Sequence, residues 1–301
     1  MTLFDEQRDN SCRAYINLRN GADPRCEAGK RHCEDLWQTF APFADEHFVA
    51  EFPVHLHERW FEMYLTVALL RAGFNVECPK PGPDIMLIID GRRVWIEATC
   101  ATGGMEGLPD TVPEPPRPEP GKGAAPYWVP RDQITLRIRN SLHTKQDVFR
   151  QYVAERVCPP GDALVIAINV HGIPHAWVDM HDYMVRSLYG VGDPVVTIDR
   201  DTLEVVGHGR QQLVSIPRAR TGAPVGVRPF IDSSVSHISG VIGSPEDVVN
   251  RPDRLGEWLA LYPNVTAEIP WQTGTVRLGD EWTATAHEGG DWELTKVSHS
   301  P

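Results

Sequence analysis

Apolar residues recur at three- and four-residue intervals over residues 27–40 and again over 57–72, the period of a helix with one buried face. In the second segment Phe61, Leu65, Ala68 and Leu69 form the stripe, and Gly73 stands where a helix ends on a left-handed residue. The pattern then shortens. Residues 74–78, 84–89 and 94–99 are β-type runs, the first two parted by Pro79-Lys80-Pro81-Gly82-Pro83 and the last two by Asp90-Gly91, a two-residue hairpin signal. Eight prolines between 109 and 130 exclude helix and central strand there. Beyond them a helix is expected over 133–156, with Ile134, Ile138, Leu142 and Phe149 inward, followed by a continuous apolar strand at 163–168 that requires burial on both faces. Weaker signals predict short strands near 195–206, 213–216, 237–242 and 282–286 and a helix over 252–261. No internal repeat is present.

Composition narrows the class. The chain has 301 residues, 41% of them hydrophobic, with 25 Gly and 26 Pro. That is enough apolar surface for a core, and too much Gly and Pro for a plain helical bundle. No run approaches the roughly 18 apolar residues of a membrane span, and no basic segment precedes an apolar one at the start. A cytoplasmic protein without membrane partners is expected. Its six cysteines are then read as reduced thiols. Cys26, His32 and Cys33 lack the spacing of a zinc site, and His55-Leu56-His57 is too short a signal to imply a metal.

The chemistry concentrates between 57 and 100. Glu62 lies on the expected helix, with Glu58 as its competitor one turn earlier; Asp84 opens one strand, and Glu97 closes the next after twelve intervening residues. Strand periodicity puts Trp95, Glu97 and Thr99 on one face and Val94, Ile96 and Ala98 on the other. Carboxylates on adjacent strands are the donor type that a hard cation such as Mg²⁺ or Mn²⁺ takes, and such an ion activates water beside a phosphate.

A helix bearing Glu62, then Pro83-Asp84, then a hydrophobic strand ending Ile96-Glu97-Ala98-Thr99, then a helix and a further strand, resembles the PD-(D/E)XK nuclease superfamily over about residues 59–169. The resemblance implies a restriction-endonuclease-like α/β fold, a central mixed sheet flanked by helices. N-terminal helices would occupy 1–56, the core 57–170 with a Pro-rich insertion at 105–130, and a β-rich extension packed on the core 171–301. It implies a Mg²⁺-dependent nuclease acting on nucleic acid, with DNA expected ahead of RNA and restriction, defence or repair as its settings, and with Asp84, Glu97 and Glu62 as metal ligands. A homodimer is one arrangement for cutting both strands. Thr99 stands where the family has its lysine, whose cation offsets transition-state charge. In some members that lysine moves to the following helix, where this chain offers Lys145. The alternative is an inactive nuclease-fold module that binds nucleic acid or protein.

A net charge of −12 excludes an indiscriminate nucleic-acid coat. Two stretches run against it. Residues 131–156 hold six Lys and Arg against three acids, and 207–231 hold four Arg and no acid. From these, Arg137, Arg139, Arg218 and Arg220 are the candidate nucleic-acid contacts. Tyr127 and Trp128 are expected to anchor the Pro-rich excursion by packing. His171, His175, Asp179 and His181 are read as loop polarity, as are Asp232-Ser233-Ser234 and Ser236-His237. No Gly-rich phosphate loop, Gly-x-Ser-x-Gly elbow or His-Glu-x-x-His is found in 170–301.

Overall fold

The structure, a computed structural model, describes residues 2–5, 8–117, 121, 126–276, 278–286 and 292–298. The chain opens with three helices, α1 (Arg13–Asn20), α2 (Pro24–Phe40) and α3 (Phe48–Glu51), and reaches α4 (Leu56–Arg71). The expected start of α2 moves back to Pro24 because Asp23 caps it, accepting from the N–H groups of Arg25 and Cys26, and proline suits the first turn. From Trp60 to Leu69 every residue of α4 is buried, not only the predicted stripe. The N-terminal helices cover one side of it and the sheet the other.

Next come β1 (Asn75–Glu77), β2 (Ile85–Ile89) and β3 (Arg92–Cys100), then α5 (Arg131–Ala154) and β4 (Ala163–Asn169). Ile89 pairs with Arg92 across Asp90 and Gly91, both at positive φ, the geometry a two-residue hairpin turn demands. After β4 follow α6 (Met180–Tyr189), β5 (Val191–Ile198), β6 (Val205–Gln212), β7 (Ser215–Pro217), β8 (Pro224–Gly226), β9 (Gly240–Ser244), β10 (Ala260–Pro263), β11 (Asp280–Ala286) and β12 (Trp292–Ser298).

Among the described residues one eight-stranded mixed sheet runs β1-β2-β3-β4-β9-β10-β11-β12. Strands β3, β4 and β9 are mutually parallel at its centre. The region beyond 170 therefore does more than pack on a core: it supplies four of the eight strands. Alternation sorts the sheet into two cores. Ile85, Leu87, Val94, Ile96, Val165 and Ala167 face α4, whereas Met86, Trp95, Leu164, Ile166 and Ile168 face α5 and α6. Ile166 is fully buried at the centre of the second layer. Ile166→Ala is expected to cost about 2–5 kcal/mol of stability, measured by denaturant unfolding.

Two expected elements take another form, and one helix was not expected. Residues 252–259 form turns leading into β10, and 260–261 belong to that strand, so no helix forms there. Gly256 there sits at φ +79, and Leu259 to Tyr262 are all buried, as an interior strand requires and a one-sided helix does not. The single run expected at 195–206 is the hairpin β5–β6, closed around Asp199, which accepts from the N–H groups of Asp201 and Thr202. Helix α6 carried no recognised signal, although Gly190 ends it at φ +70. No helix of the described residues is long and apolar enough to cross a membrane. All six cysteines are free thiols.

The Pro-rich excursion, of which Pro118 and Pro120 lie outside the described residues, has no helix or strand in its described part. It lies over the carboxyl ends of β3 and β4. Val112 N–H donates to Gly103 O and Gly103 N–H to Gly172 O, while His175 joins Tyr127 Oη at 3.3 Å to Pro113 O at 3.1 Å. Tyr127 thus anchors the segment partly as expected. Trp128 does not: it is 90% exposed, because the anchoring contact falls to its neighbour.

Candidate active site

The antiparallel register pairs Ile85 with Ile96, so one step further Asp84 stands opposite Glu97. Opposed residues share a face and bring their Cβ atoms to about 5 Å. Asp84 Oδ2 accepts the Ala98 N–H at 2.8 Å, which holds the carboxylate against the strand that carries Glu97. The place is the carboxyl-terminal half of β3, beside β4, where Glu97 pairs with Ile166.

Helix α5 crosses the same face. Ile134, Ile138, Leu142 and Phe149 bury its apolar side, and Lys145 lies at the margin of that stripe, three residues past Leu142. Its Nζ donates to Glu97 Oε1 at 2.7 Å. A cation from the helix that follows β3 thus reaches the glutamate of β3. The other oxygen of Glu97, Oε2, is buried without a hydrogen-bond partner. Thr99, two residues further on, makes no comparable contact among the described residues.

Glu62 arrives from α4, 5% exposed. Arg59, one turn earlier, donates from Nη1 to Glu62 Oε2 at 2.8 Å, and also pairs with Asp45 at 3.2 Å and with Glu51. Lys80 Nζ stands 3.8 Å from Glu62 Oε1. Burial pushes Glu62 up to about 7, helped by the Asp84 charge and opposed by Lys80 and Arg59. Glu97 is likewise raised to about 7, by burial first and Asp84 next, with Lys145 and Lys80 opposing. Asp84 is the charge common to both. The three acids therefore form one electrostatic unit flanked by two lysines, and two of its members titrate near neutrality, where proton transfer is most useful.

Sequence reasoning had Asp84, Glu97, Lys145 and Glu62, and these four come together. It passed over Arg59, Lys80 and Tyr152. Arg59 is three residues before Glu62 on one helix face, and Lys80 lies in the Pro-rich turn that delivers Asp84. Tyr152 falls two helical turns after Lys145, on the same side of α5. Its hydroxyl is pushed up to about 12, by burial first and then by Glu97 and Asp84. Glu58, the competing acid, is separated from this group by a helical turn and lies within electrostatic range of Cys100.

Of the four candidate arginines, Arg137, Arg218 and Arg220 line one cavity. Arg139 is a correction. Two residues along a helix is a rotation of about 200°, and its guanidinium is turned into the protein. Burial pulls it down to about 10 despite Asp232, and its Nε and Nη1 lack partners. The histidines that lie close in sequence between 171 and 181 are dispersed in the fold. His171 pairs with Asp247 at 2.6 Å with His57 beside it, His175 holds the excursion, and His181 stacks on Trp282 at 3.5 Å.

Compared with protein-family models, curated proteins and solved structures, the chain matches none. The site therefore stands on its own geometry. As the side chains stand, no three His, Cys, Asp or Glu of the described residues form a group able to hold a metal ion. Two do not need a third. Mg²⁺ is ordinarily held by one or two carboxylates, with waters and substrate phosphate completing its shell, and Asp84 and Glu97, whose Oε2 is unpartnered, are two carboxylates on one face.

Proposed function

We propose that the chain is a metal-dependent nuclease with a restriction-endonuclease-like core, hydrolysing phosphodiester bonds of nucleic acid, with DNA as the first substrate to test. The observation that carries this reading is the meeting of Asp84, just before β2, Glu97 of β3 and Lys145 of α5 on one face of the sheet. Asp84 and Glu97 would hold Mg²⁺ or Mn²⁺, with Glu62 assisting through water. When bound, the ion supplies Lewis-acid stabilisation of phosphate charge and a lowered pKa for water. The remaining tasks belong to the chain. Glu97 keeps Lys145 aimed into the site, and the ammonium offsets the charge that grows on phosphate oxygen. Glu62, its carboxyl raised toward neutrality by burial, would accept the proton that leaves the attacking water.

Calorimetry with Mg²⁺ and with Mn²⁺ tests the ligand assignment. Wild type should bind either ion with release of protons, since carboxylates titrating near 7 must give them up. The pair Asp84→Ala with Glu97→Ala should bind neither. Absence of uptake by wild type, or equal uptake by the double variant, removes Asp84 and Glu97 from the metal site.

A further inference from the structure

The arginine-lined cavity has a volume of about 280 Å³ and is built from segments far apart in sequence: α5, the start of the Pro-rich excursion and the turn between β7 and β8. Arg137 is fixed in place. Its Nε donates to Thr102 O at 2.7 Å and its Nη2 reaches Thr102 Oγ1 at 3.3 Å, two residues beyond the strand that carries Glu97. Arg218 faces Asp110 at 3.7 Å, and the other oxygen of Asp110 accepts the Ala219 N–H at 2.8 Å. That bond ties the turn to the excursion. Arg220 makes no ion pair among the described residues. Three guanidinium groups thus meet one carboxylate, an excess of positive charge in a chain whose net charge is −12.

The cavity is also placed in relation to the carboxylates. Arg137 and Lys145 are eight residues apart on α5, about 12 Å along the axis and about 80° around it, so both address the same side of the helix. Thr102 and Glu97 follow one another along the continuation of β3 in the same order. A polyanionic strand with one phosphate at Lys145 would pass a second phosphate near Arg137.

We propose that the cavity is a phosphate subsite that grips the sugar-phosphate backbone of the substrate strand a few nucleotides from the carboxylates. The proposal rests on the nuclease reading for its choice of ligand. Planar guanidinium forks are matched to phosphate oxygens and give bidentate contacts. Asp110 holds the turn in position and lowers the local charge without cancelling it. The subsite would supply register on the strand, not recognition of its bases.

The test reads binding alone, with divalent ions chelated, so it is independent of whether the carboxylates hydrolyse anything. Fluorescence anisotropy follows labelled single- and double-stranded DNA oligonucleotides across a salt series for wild type, Arg218→Ala with Arg220→Ala, and Arg220→Lys. Both arginines are exposed, so folding is not at stake. Two lost phosphate contacts should lower the slope of log affinity against log salt by about 1.4–1.8 and weaken low-salt binding about tenfold or more. Arg220→Lys should keep the slope. Inorganic phosphate at matched phosphate concentration should fail to displace the strand. Unchanged slope and affinity in the double variant overturn the subsite while leaving the carboxylate site to its own assays. So does displacement of the strand by inorganic phosphate, or a wild type that binds no oligonucleotide.

Discussion

Asp84→Asn is expected to make the metal-free protein more stable near neutral pH while removing strand cleavage. Glu62 and Glu97 carry pKa values raised from 4.5 to about 7, and Asp84 is a named cause for both. The folded protein therefore holds protons that the unfolded chain releases between about pH 4.5 and 7. Their stabilising contribution is complete below the lower limit and is lost as pH rises through the upper one. Removing the Asp84 charge relaxes the repulsion, and asparagine keeps an oxygen for the Ala98 N–H. The gain should be about 1–2 kcal/mol near pH 7.5, a few degrees in melting temperature for a chain of this size, and it should fade toward pH 5. Mg²⁺ should reverse the order, stabilising wild type increasingly as pH rises and the variant little. Thermal melts across that range, with and without the ion, check both trends. A variant less stable than wild type at every pH would deny that the carboxylates repel one another.

Lys145→Ala should lower the cleavage rate by about 10²–10³-fold, the scale on which a single charge-stabilising donor contributes, with DNA binding largely kept. It should also move the pH profile. The ammonium holds Glu97 down against burial, so without it Glu97 stays protonated to higher pH and the rising limb of the rate shifts alkaline. Lys145→Arg, which restores the charge, should move that limb back. A lysine serving only as helix surface would leave the profile where it is. Comparing kcat with KM across pH for the three proteins separates the two roles.

How far the sequence carried these conclusions differs between the two halves of the chain. From 57 to 169 each element announces itself through local signals: Asp90-Gly91 dictates a turn, and the spacing of Ile134, Ile138, Leu142 and Phe149 dictates which side of α5 is buried. Because Asp90-Gly91 fixes the register of β2 on β3, even the opposition of Asp84 and Glu97 is implicit in the spacing. Lys145 follows from the same helical arithmetic. Beyond 170 the strands are short, and what decides them is pairing partners distant in sequence. Gly240 to Ser244 becomes a strand because β4 lies beside it, and Ala260 to Pro263 because β9 does. Arg139 was misread because composition counts charges without regard to direction. Lys80 was missed because its value lies in what it faces, Glu62 and Glu97 held in place by separate elements, and Arg59 because its role depends on Glu62 being buried beside it.

Strand cleavage itself decides whether Asp84, Glu97 and Lys145 form a hydrolytic site. Wild type, Asp84→Ala, Glu97→Ala and Lys145→Ala would each be incubated with plasmid and with single-stranded DNA, with Mg²⁺, with Mn²⁺ and with chelator. Wild type should cleave in either ion and stop in chelator, and each carboxylate variant should lose about 10³-fold, a loss of roughly 4 kcal/mol in transition-state stabilisation. Intact DNA with wild type in both ions, or cleavage that persists through Asp84→Ala and Glu97→Ala, would contradict a hydrolytic site there.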